Sequence, residues 1–171
     1  KEFWDLLTKY NVTCFGGVPI LHKILLKLKF GEMKLPNLKY ITQAGGKLDN
    51  NKFNEIYKVC KKNNINFISM YGQTEASPRI STLDYKYLPS KIGSIGKPIK
   101  NGKLYLIESN GKKINNSNEI GELIFEGKNV CHGYAEKFGD LKKNDENKGI
   151  LKTGDLATFD EDGFYYIMGR K

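Results

Sequence analysis

The first eighty residues alternate between helical stripes and short apolar runs. Apolar side chains recur at helical spacing in three segments, residues 3–10, 21–28 and 53–60. Pro19 suits the first turn of the second helix and Asp49 suits the N-cap of the third. Apolar runs at residues 12–15, 38–42 and 66–69 are typical of short buried strands. Alternating helices and strands predict a parallel sheet with helices packed against it.

The pattern changes after residue 80. No helical stripe follows, whereas Lys103–Ile107 and Glu122–Phe125 have the composition of strands. Asn110-Gly111 is a turn signal, and residues 159–164 carry the polar residues and the glycine of a hairpin turn. We therefore predict an α/β fold followed by β structure: the last βα units of a parallel-sheet subdomain in residues 1–80, then a small distorted antiparallel β-barrel in residues 81–171.

Polar side chains follow the strand that ends near Ser69. Ligands of open α/β sheets bind beyond the carboxyl ends of strands. Tyr71 offers an aromatic face there and Gly72 lets the main chain approach a ligand closely. Thr74 offers a hydroxyl group, and Glu75 offers a carboxylate for a hard cation. The stretch therefore has the chemistry of a nucleotide site, although a tyrosine-glycine pair in a plain turn would look the same.

Two further charged residues stand out in the β-rich half. Asp155 follows Thr153-Gly154, and an ionised aspartate has the two acceptor oxygens that grip the vicinal hydroxyls of a ribose. Arg170 stands where this chain otherwise uses lysine, so the position is expected to need a planar guanidinium. Taken singly, either residue could equally be an ordinary turn carboxylate or surface ion-pair partner.

The distribution of charge and the positions of the cysteines argue against several other classes of protein. The net charge is +9, but only Arg79 and Arg170 among the 28 basic residues are arginine, and lysines are spread along the whole chain. Base readers rely on arginine, so we expect no nucleic-acid partner. Three distant cysteines predict neither a disulfide framework nor a metal site. With no membrane-spanning run and no signal peptide in the sequence, a cytoplasmic location is expected.

Four motifs stand out in the sequence: Tyr71-Gly72-Gln73-Thr74-Glu75, Gly121-Glu122-Leu123 with Gly133-Tyr134, Thr153-Gly154-Asp155, and Gly169-Arg170-Lys171. Together, in their order and spacing, they resemble the motifs of the AMP-forming adenylating enzymes, the superfamily of acyl-CoA and aryl-CoA synthetases, peptide-synthetase adenylation domains and luciferases. Shorter pieces, Ala44-Gly45-Gly46 and Gly93–Pro98, resemble the glycine turn beside adenine and the entry into the β-barrel subdomain in this superfamily.

The resemblance implies a nucleotide site and an activity. It implies that Tyr71 stacks on adenine, Thr74 contacts the α-phosphate, Glu75 helps to hold Mg²⁺, Asp155 binds the ribose hydroxyls and Arg170 contacts the ribose–phosphate side. Thr74 and Glu75 would be catalytic, and Ala44, Gly45, Gly46 and Gly72 would complete the ATP/AMP site. A small-molecule carboxylic acid would be activated as acyl-AMP and passed to the thiol of CoA or of phosphopantetheine.

The same resemblance implies that the chain is the middle of a longer enzyme. The superfamily's phosphate loop would precede Lys1, and its mobile C-terminal domain would follow the hinge at Lys171. We therefore expect the 171 residues alone to be inactive. Gln73, where peptide-synthetase domains commonly have proline, favours a stand-alone ligase over an adenylation domain with an acyl-carrier protein. A non-catalytic nucleotide-binding or interaction module remains the alternative.

Overall fold

The computed structural model describes residues 2–171, which divide into two compact units. One unit contains the chain up to Met70 together with Leu83–Gly93. The other contains Tyr71–Thr82 and Ser94–Lys171.

The first unit is built from alternating helices and parallel strands. The elements are α1 (Glu2–Lys9), β1 (Cys14–Gly17), α2 (Pro19–Lys27), β2 (Tyr40–Gln43), α3 (Asn50–Lys62) and β3 (Asn66–Tyr71), with short 3₁₀ turns at Phe30–Glu32 and Tyr85–Tyr87. Strand β2 pairs in parallel with both β1 and β3. Helix α3 has 13 residues, and none of the described helices combines the length and the apolar character that crossing a bilayer requires.

Capping and packing explain why these helices form where the sequence predicts them. The Asp49 carboxylate accepts hydrogen bonds from the main-chain N–H groups of Asn51 and Lys52, at 3.0 and 3.3 Å, which confirms the predicted N-cap of α3. The buried face of α3 carries Phe53, whose ring meets that of Phe67 on β3 edge-on at 4.9 Å between centroids. The helix thus covers the sheet through its apolar stripe.

The second unit is mostly antiparallel sheet. Its strands are β4 (Ser81–Leu83), β5 (Lys97–Pro98), β6 (Lys103–Ile107), β7 (Lys113–Ile114), β8 (Gly121–Glu126), β9 (Ile150–Phe159) and β10 (Tyr165–Arg170), with 3₁₀ segments at Thr74–Ala76 and Phe138–Lys142. Five of these strands lie in the order β10-β9-β8-β6-β7, and β4 pairs antiparallel with β5.

The predicted order of an α/β part followed by β structure is confirmed. Within residues 2–171 the antiparallel sheet is open and not a closed barrel, since its edge strands β10 and β7 do not pair with each other. Strand β7 has only two residues. So short an edge strand has too few free N–H and C=O groups to close a barrel.

Two apolar clusters form the core of the second unit, and Tyr71 packs against both. One cluster contains Ala76, Ile80, Phe125, Val130 and Leu151, and the other contains Leu106, Ile114, Leu123 and Ala157. The Tyr71 ring is therefore part of the core as well as part of any site at the end of β3.

Buried His22 makes the stability of the first unit depend on pH. Its side chain lies on α2, has no exposed surface, and meets the Phe67 ring edge-on at 5.7 Å between centroids. Burial lowers the pKa of His22 below 6.5, and among residues 2–171 neither ring nitrogen has a hydrogen-bond partner that would stabilise the charged form. The unfolded chain therefore binds a proton at His22 more readily than the folded chain does.

We predict that the free energy of unfolding falls as the pH drops below about 6.5, by up to about 1.4 kcal/mol per pH unit from this residue. His22→Met should remove that part of the pH dependence, whereas His132→Gln, which changes the only other histidine, should keep it. Urea unfolding followed by the fluorescence of Trp4, the single tryptophan, measures both. If the free energy of unfolding depended on pH equally in the wild type and in His22→Met, His22 would not be the source of that dependence.

Candidate functional site

Asp155 lies on a bulge in β9. Glu122 and Ile124 of β8 pair with Leu156 and Lys152, so the three residues 153–155 lie opposite the single residue Leu123. Gly154 has a φ of 70°, a conformation that glycine adopts without strain. Bulges change the direction of strand side chains, and this one places the Asp155 side chain where only 11% of its surface is exposed.

The Thr153 side chain stabilises the bulge through two hydrogen bonds to the main chain. Its buried hydroxyl donates to the main-chain carbonyl of Leu123 at 2.8 Å and accepts from the main-chain N–H of Asp155 at 3.1 Å. One side chain thus satisfies two main-chain groups that the irregular pairing would leave without partners. The position of the Asp155 carboxylate depends on this hydroxyl.

Three side-chain donors converge on the Asp155 carboxylate. Arg170 stands directly across from Asp155 in the pairing of β10 with β9, and its guanidinium donates to Oδ1 at 2.9 Å. The Tyr71 hydroxyl donates to Oδ2 at 2.5 Å. The Gln73 amide donates to the same Oδ2 at 3.1 Å. The structure therefore brings together Tyr71, Asp155 and Arg170, which the sequence had marked separately.

Tyr71 is held as a hydrogen-bond donor. Burial raises the pKa of its phenol well above the ordinary range, and the hydrogen bond to ionised Asp155 raises it further. The phenol is protonated at any physiological pH, so it stabilises the Asp155 carboxylate, which has little access to water, by donating a hydrogen bond.

Glu75 forms a second contact region with the loop after β8. The Tyr134 hydroxyl donates to Glu75 Oε1 at 2.5 Å, and the Cys131 main-chain N–H donates to the Glu75 carbonyl at 2.8 Å. The tyrosine hydrogen bond is the main reason that the pKa of Glu75 is lowered, which keeps the carboxylate ionised. Thr74 precedes it at the start of the 3₁₀ turn and is exposed.

Glycine is required at position 72 and at position 45 for different structural reasons. A Cβ atom at Gly72 would overlap the carbonyl oxygen of Pro78, so close main-chain packing alone excludes a side chain there. In the first unit, Gly45 has a φ of 74° and is exposed beside Ala44. The buried Gln43 side chain stabilises that turn by donating to the carbonyl oxygen of Gly46 at 2.6 Å.

This arrangement can bind a neutral group that has several hydroxyls. Asp155 Oδ1 has one side-chain donor, so a carboxylate oxygen with two lone pairs keeps room for a hydroxyl donor. Arg170 is 71% exposed at its side chain, so its guanidinium has donors available for an anionic group. An acceptor for hydroxyls beside a cation for phosphate is the combination that a nucleotide requires.

The chain belongs to a known enzyme family. Residues 1–135 match the model of the AMP-binding enzyme family. The chain is 36% identical over 173 residues to 2-succinylbenzoate–CoA ligase of Geobacillus sp., covering all of this chain and 33% of that enzyme. It is 31% identical over 173 residues to 4-hydroxybutyrate–CoA ligase 1 of Metallosphaera sedula, covering 99% of this chain and 30% of that enzyme.

Solved structures agree with this assignment. The chain is similar to O-succinylbenzoate coenzyme A synthetase of Bacillus subtilis in complex with AMP, with a TM-score of 0.80 and 27% identity over 99% of this chain and 34% of that one. A structure of the same enzyme with ATP and magnesium ion gives a TM-score of 0.78. The predicted superfamily is thereby confirmed, and the chain spans about a third of these relatives.

Two contact residues were not predicted as site residues. In the sequence, Gln73 indicates only the class of enzyme, and Tyr134 is only part of a glycine-tyrosine motif. Both act through side-chain hydrogen bonds to residues 59 or more positions away along the chain. No local pattern reveals such pairs; the only signal was that each lies within a motif.

The contacts of Thr153 predict a measurable difference between two threonines of the same strand. Thr153→Val keeps the side-chain shape but leaves the Leu123 carbonyl and the Asp155 N–H without their partner, which should cost about 1–3 kcal/mol of unfolding free energy. Thr158→Val is the matched control, because the buried Thr158 hydroxyl has no hydrogen-bond partner among residues 2–171. The control should be neutral or stabilising.

Urea unfolding monitored by circular dichroism gives the free energies, and amide hydrogen exchange of β8 and β9 gives their location. Equal effects of the two substitutions would show that the Thr153 hydroxyl does not hold the bulge.

Proposed function

We propose that this chain is part of an AMP-forming acid–thiol ligase that uses ATP to activate a carboxylic acid and passes the acyl group to CoA. Family membership and the CoA ligases among the relatives support this proposal. The observation that carries it is the Asp155 carboxylate, held on a bulge opposite Arg170 and beside Tyr71.

In this proposal Asp155 accepts hydrogen bonds from the two ribose hydroxyls, and Arg170 binds on the ribose–phosphate side. Tyr71 offers the free part of its ring to adenine. Thr74, exposed at the start of its 3₁₀ turn, donates its hydroxyl to the α-phosphate. Gly72, which has no side chain, lets the main chain pass close to the Pro78 carbonyl oxygen between these groups.

The reaction has two steps. A carboxylate oxygen of the substrate attacks the α-phosphorus of ATP, the bond to the bridging oxygen breaks, and pyrophosphate leaves with the electron pair. The thiol sulfur then attacks the acyl carbon of the acyl-AMP, AMP leaves with its oxygen, and the thiol proton passes to solvent. Donors fixed around the phosphate favour the first step because they stabilise the charge that develops there.

The Glu75 carboxylate is suited to serve as a ligand of Mg²⁺. It is ionised, and Tyr134 takes only one of its two oxygens. Among residues 2–171 no group of three or more His, Cys, Asp or Glu side chains could enclose a metal ion. Mg²⁺ commonly takes one or two carboxylates and completes its shell with water and phosphate oxygens. Bound there, it would screen the phosphate charge.

A non-catalytic nucleotide-binding module and a peptide-synthetase adenylation domain are the outcomes to separate from this proposal. The test uses the full-length protein that contains this chain, supplied with ATP, Mg²⁺ and a panel of carboxylic acids. Acid-dependent pyrophosphate release followed by formation of a CoA thioester is the expected result. Nucleotide binding with no pyrophosphate release would indicate the module, and transfer only to a carrier-protein thiol would indicate the adenylation domain.

Asp155→Ala should raise the KM for ATP at least about tenfold, because hydrogen bonds to a charged acceptor contribute about 1.5–3 kcal/mol each. Tyr71→Ala should cost less ATP affinity, since neighbouring apolar surface replaces part of its stacking face. Asp162→Ala, in the exposed turn between the same two strands, is the control and should leave the KM unchanged. Steady-state pyrophosphate release measures all three. An unchanged KM in Asp155→Ala would remove the ribose role.

Glu75→Gln keeps the side-chain shape but loses the charge, so we expect at least about a hundredfold lower turnover at saturating Mg²⁺. Glu119→Gln makes the same change at an exposed carboxylate that accepts a hydrogen bond from Asn116, and it should have no effect. Near-wild-type turnover of Glu75→Gln would mean that this carboxylate does not serve the metal.

A further inference from the structure

Gln73 connects three parts of the nucleotide site through one amide group. Its Nε2 lies 2.8 Å from the Thr153 carbonyl oxygen, 3.1 Å from Asp155 Oδ2 and 3.4 Å from the Tyr71 hydroxyl. The amide therefore touches the main chain of the β9 bulge and the carboxylate that the bulge presents. The Tyr71 hydroxyl, in contrast, gives its single proton to Asp155 and so donates to no main-chain group of the bulge.

The donors to Asp155 differ in what they can do once a ribose binds. Oδ2 already accepts from Tyr71 and Gln73, which fills its two lone pairs, whereas Oδ1 accepts only from Arg170. A diol that binds in a bidentate manner, with one hydroxyl on each carboxylate oxygen, needs one acceptor position on Oδ1 and one on Oδ2. One donor must therefore leave Oδ2 when the diol binds.

The contacts indicate which donor stays. Gln73 is held independently of Asp155 by its shorter bond to the Thr153 carbonyl, whereas the Tyr71 hydroxyl has a single proton, which it gives to Asp155. The Arg170 side chain is 71% exposed, so it gives the carboxylate little orientation from its own packing. Gln73 is thus the donor with a second, fixed anchor.

We propose that Gln73 is a positioning residue for nucleotide recognition: it keeps the Asp155 carboxylate oriented while a ribose hydroxyl replaces the Tyr71 hydroxyl on Oδ2. This inference rests on the proposed function. A neutral amide suits the task, because it fixes the direction of the carboxylate and leaves its negative charge available to the ribose hydroxyls.

The test compares ATP with 2′-deoxy-ATP in the full-length protein. Gln73→Met keeps the side-chain length and removes the N–H donors. We expect it to raise the KM for ATP about tenfold with kcat within about twofold, and to change the KM for 2′-deoxy-ATP by less than about threefold. The preference for ATP over the deoxynucleotide should therefore fall. Gln73→Leu serves as the second neutral variant should Gln73→Met fail to fold.

Asn116→Ala is the matched control, because it removes an amide that donates to a carboxylate oxygen, Glu119 Oε1, at 2.8 Å on an exposed loop. It should keep the wild-type preference. A general loosening of the site would raise the KM for both nucleotides equally in the Gln73 variants, and that result would overturn the positioning role, as would an unchanged KM for ATP.

The same assay separates this inference from the proposed function. If the wild type shows no preference for ATP, or if Asp155→Ala retains the preference, the ribose role of Asp155 is wrong and the inference is wrong with it. If Asp155→Ala loses the preference and both Gln73 variants keep it, the ribose role stands and only the inference about Gln73 is wrong.

Discussion

The second unit depends on neutralising one carboxylate that is largely removed from water. An ionised carboxylate is stable in such a position only when donors surround it, since desolvation costs several kcal/mol. Asp155 has Arg170 on one oxygen, and Tyr71 and Gln73 on the other. These donors come from the end of β3 and from β10, so one charge joins distant parts of the chain.

The bulge in β9 makes this arrangement of donors around Asp155 possible. A regular strand would pair its main-chain groups alternately with its two neighbours, β8 and β10, whereas the bulge at residues 153–155 interrupts the pairing with β8. The Thr153 hydroxyl bonds to the main-chain groups of Leu123 and Asp155 at this interruption. Gly154 supplies the positive φ that the bulge needs. The local sequence Thr-Gly-Asp therefore has a structural reason: the Thr153 hydroxyl bonds to the main chain on both sides of the bulge, Gly154 adopts its positive φ, and the bulge sets the direction of the Asp155 side chain.

The sequence predicted the regular elements better than the contacts of the site. The cap at Asp49 and the apolar stripe around Phe53 are local patterns, and both occur as predicted. The open edge of the second sheet, in contrast, depends on strands far apart in sequence, and the strand pattern alone suggested a barrel. The motifs marked Tyr71, Asp155 and Arg170 but not their mutual hydrogen bonds. The side-chain contacts of Gln73 and Tyr134 were not predicted, because polar side chains in loops follow no periodic pattern that would indicate a distant partner.

The central claim is that the Asp155 carboxylate receives the ribose of a nucleotide. The most direct measurement is a crystal structure of the full-length protein with AMP bound. The account predicts both ribose hydroxyls within about 2.5–3.0 Å of the Asp155 oxygens, with the Gln73 amide still on Oδ2. A ribose bound elsewhere, with Tyr71, Gln73 and Arg170 unmoved around Asp155, would show that the network is structural and would contradict the account.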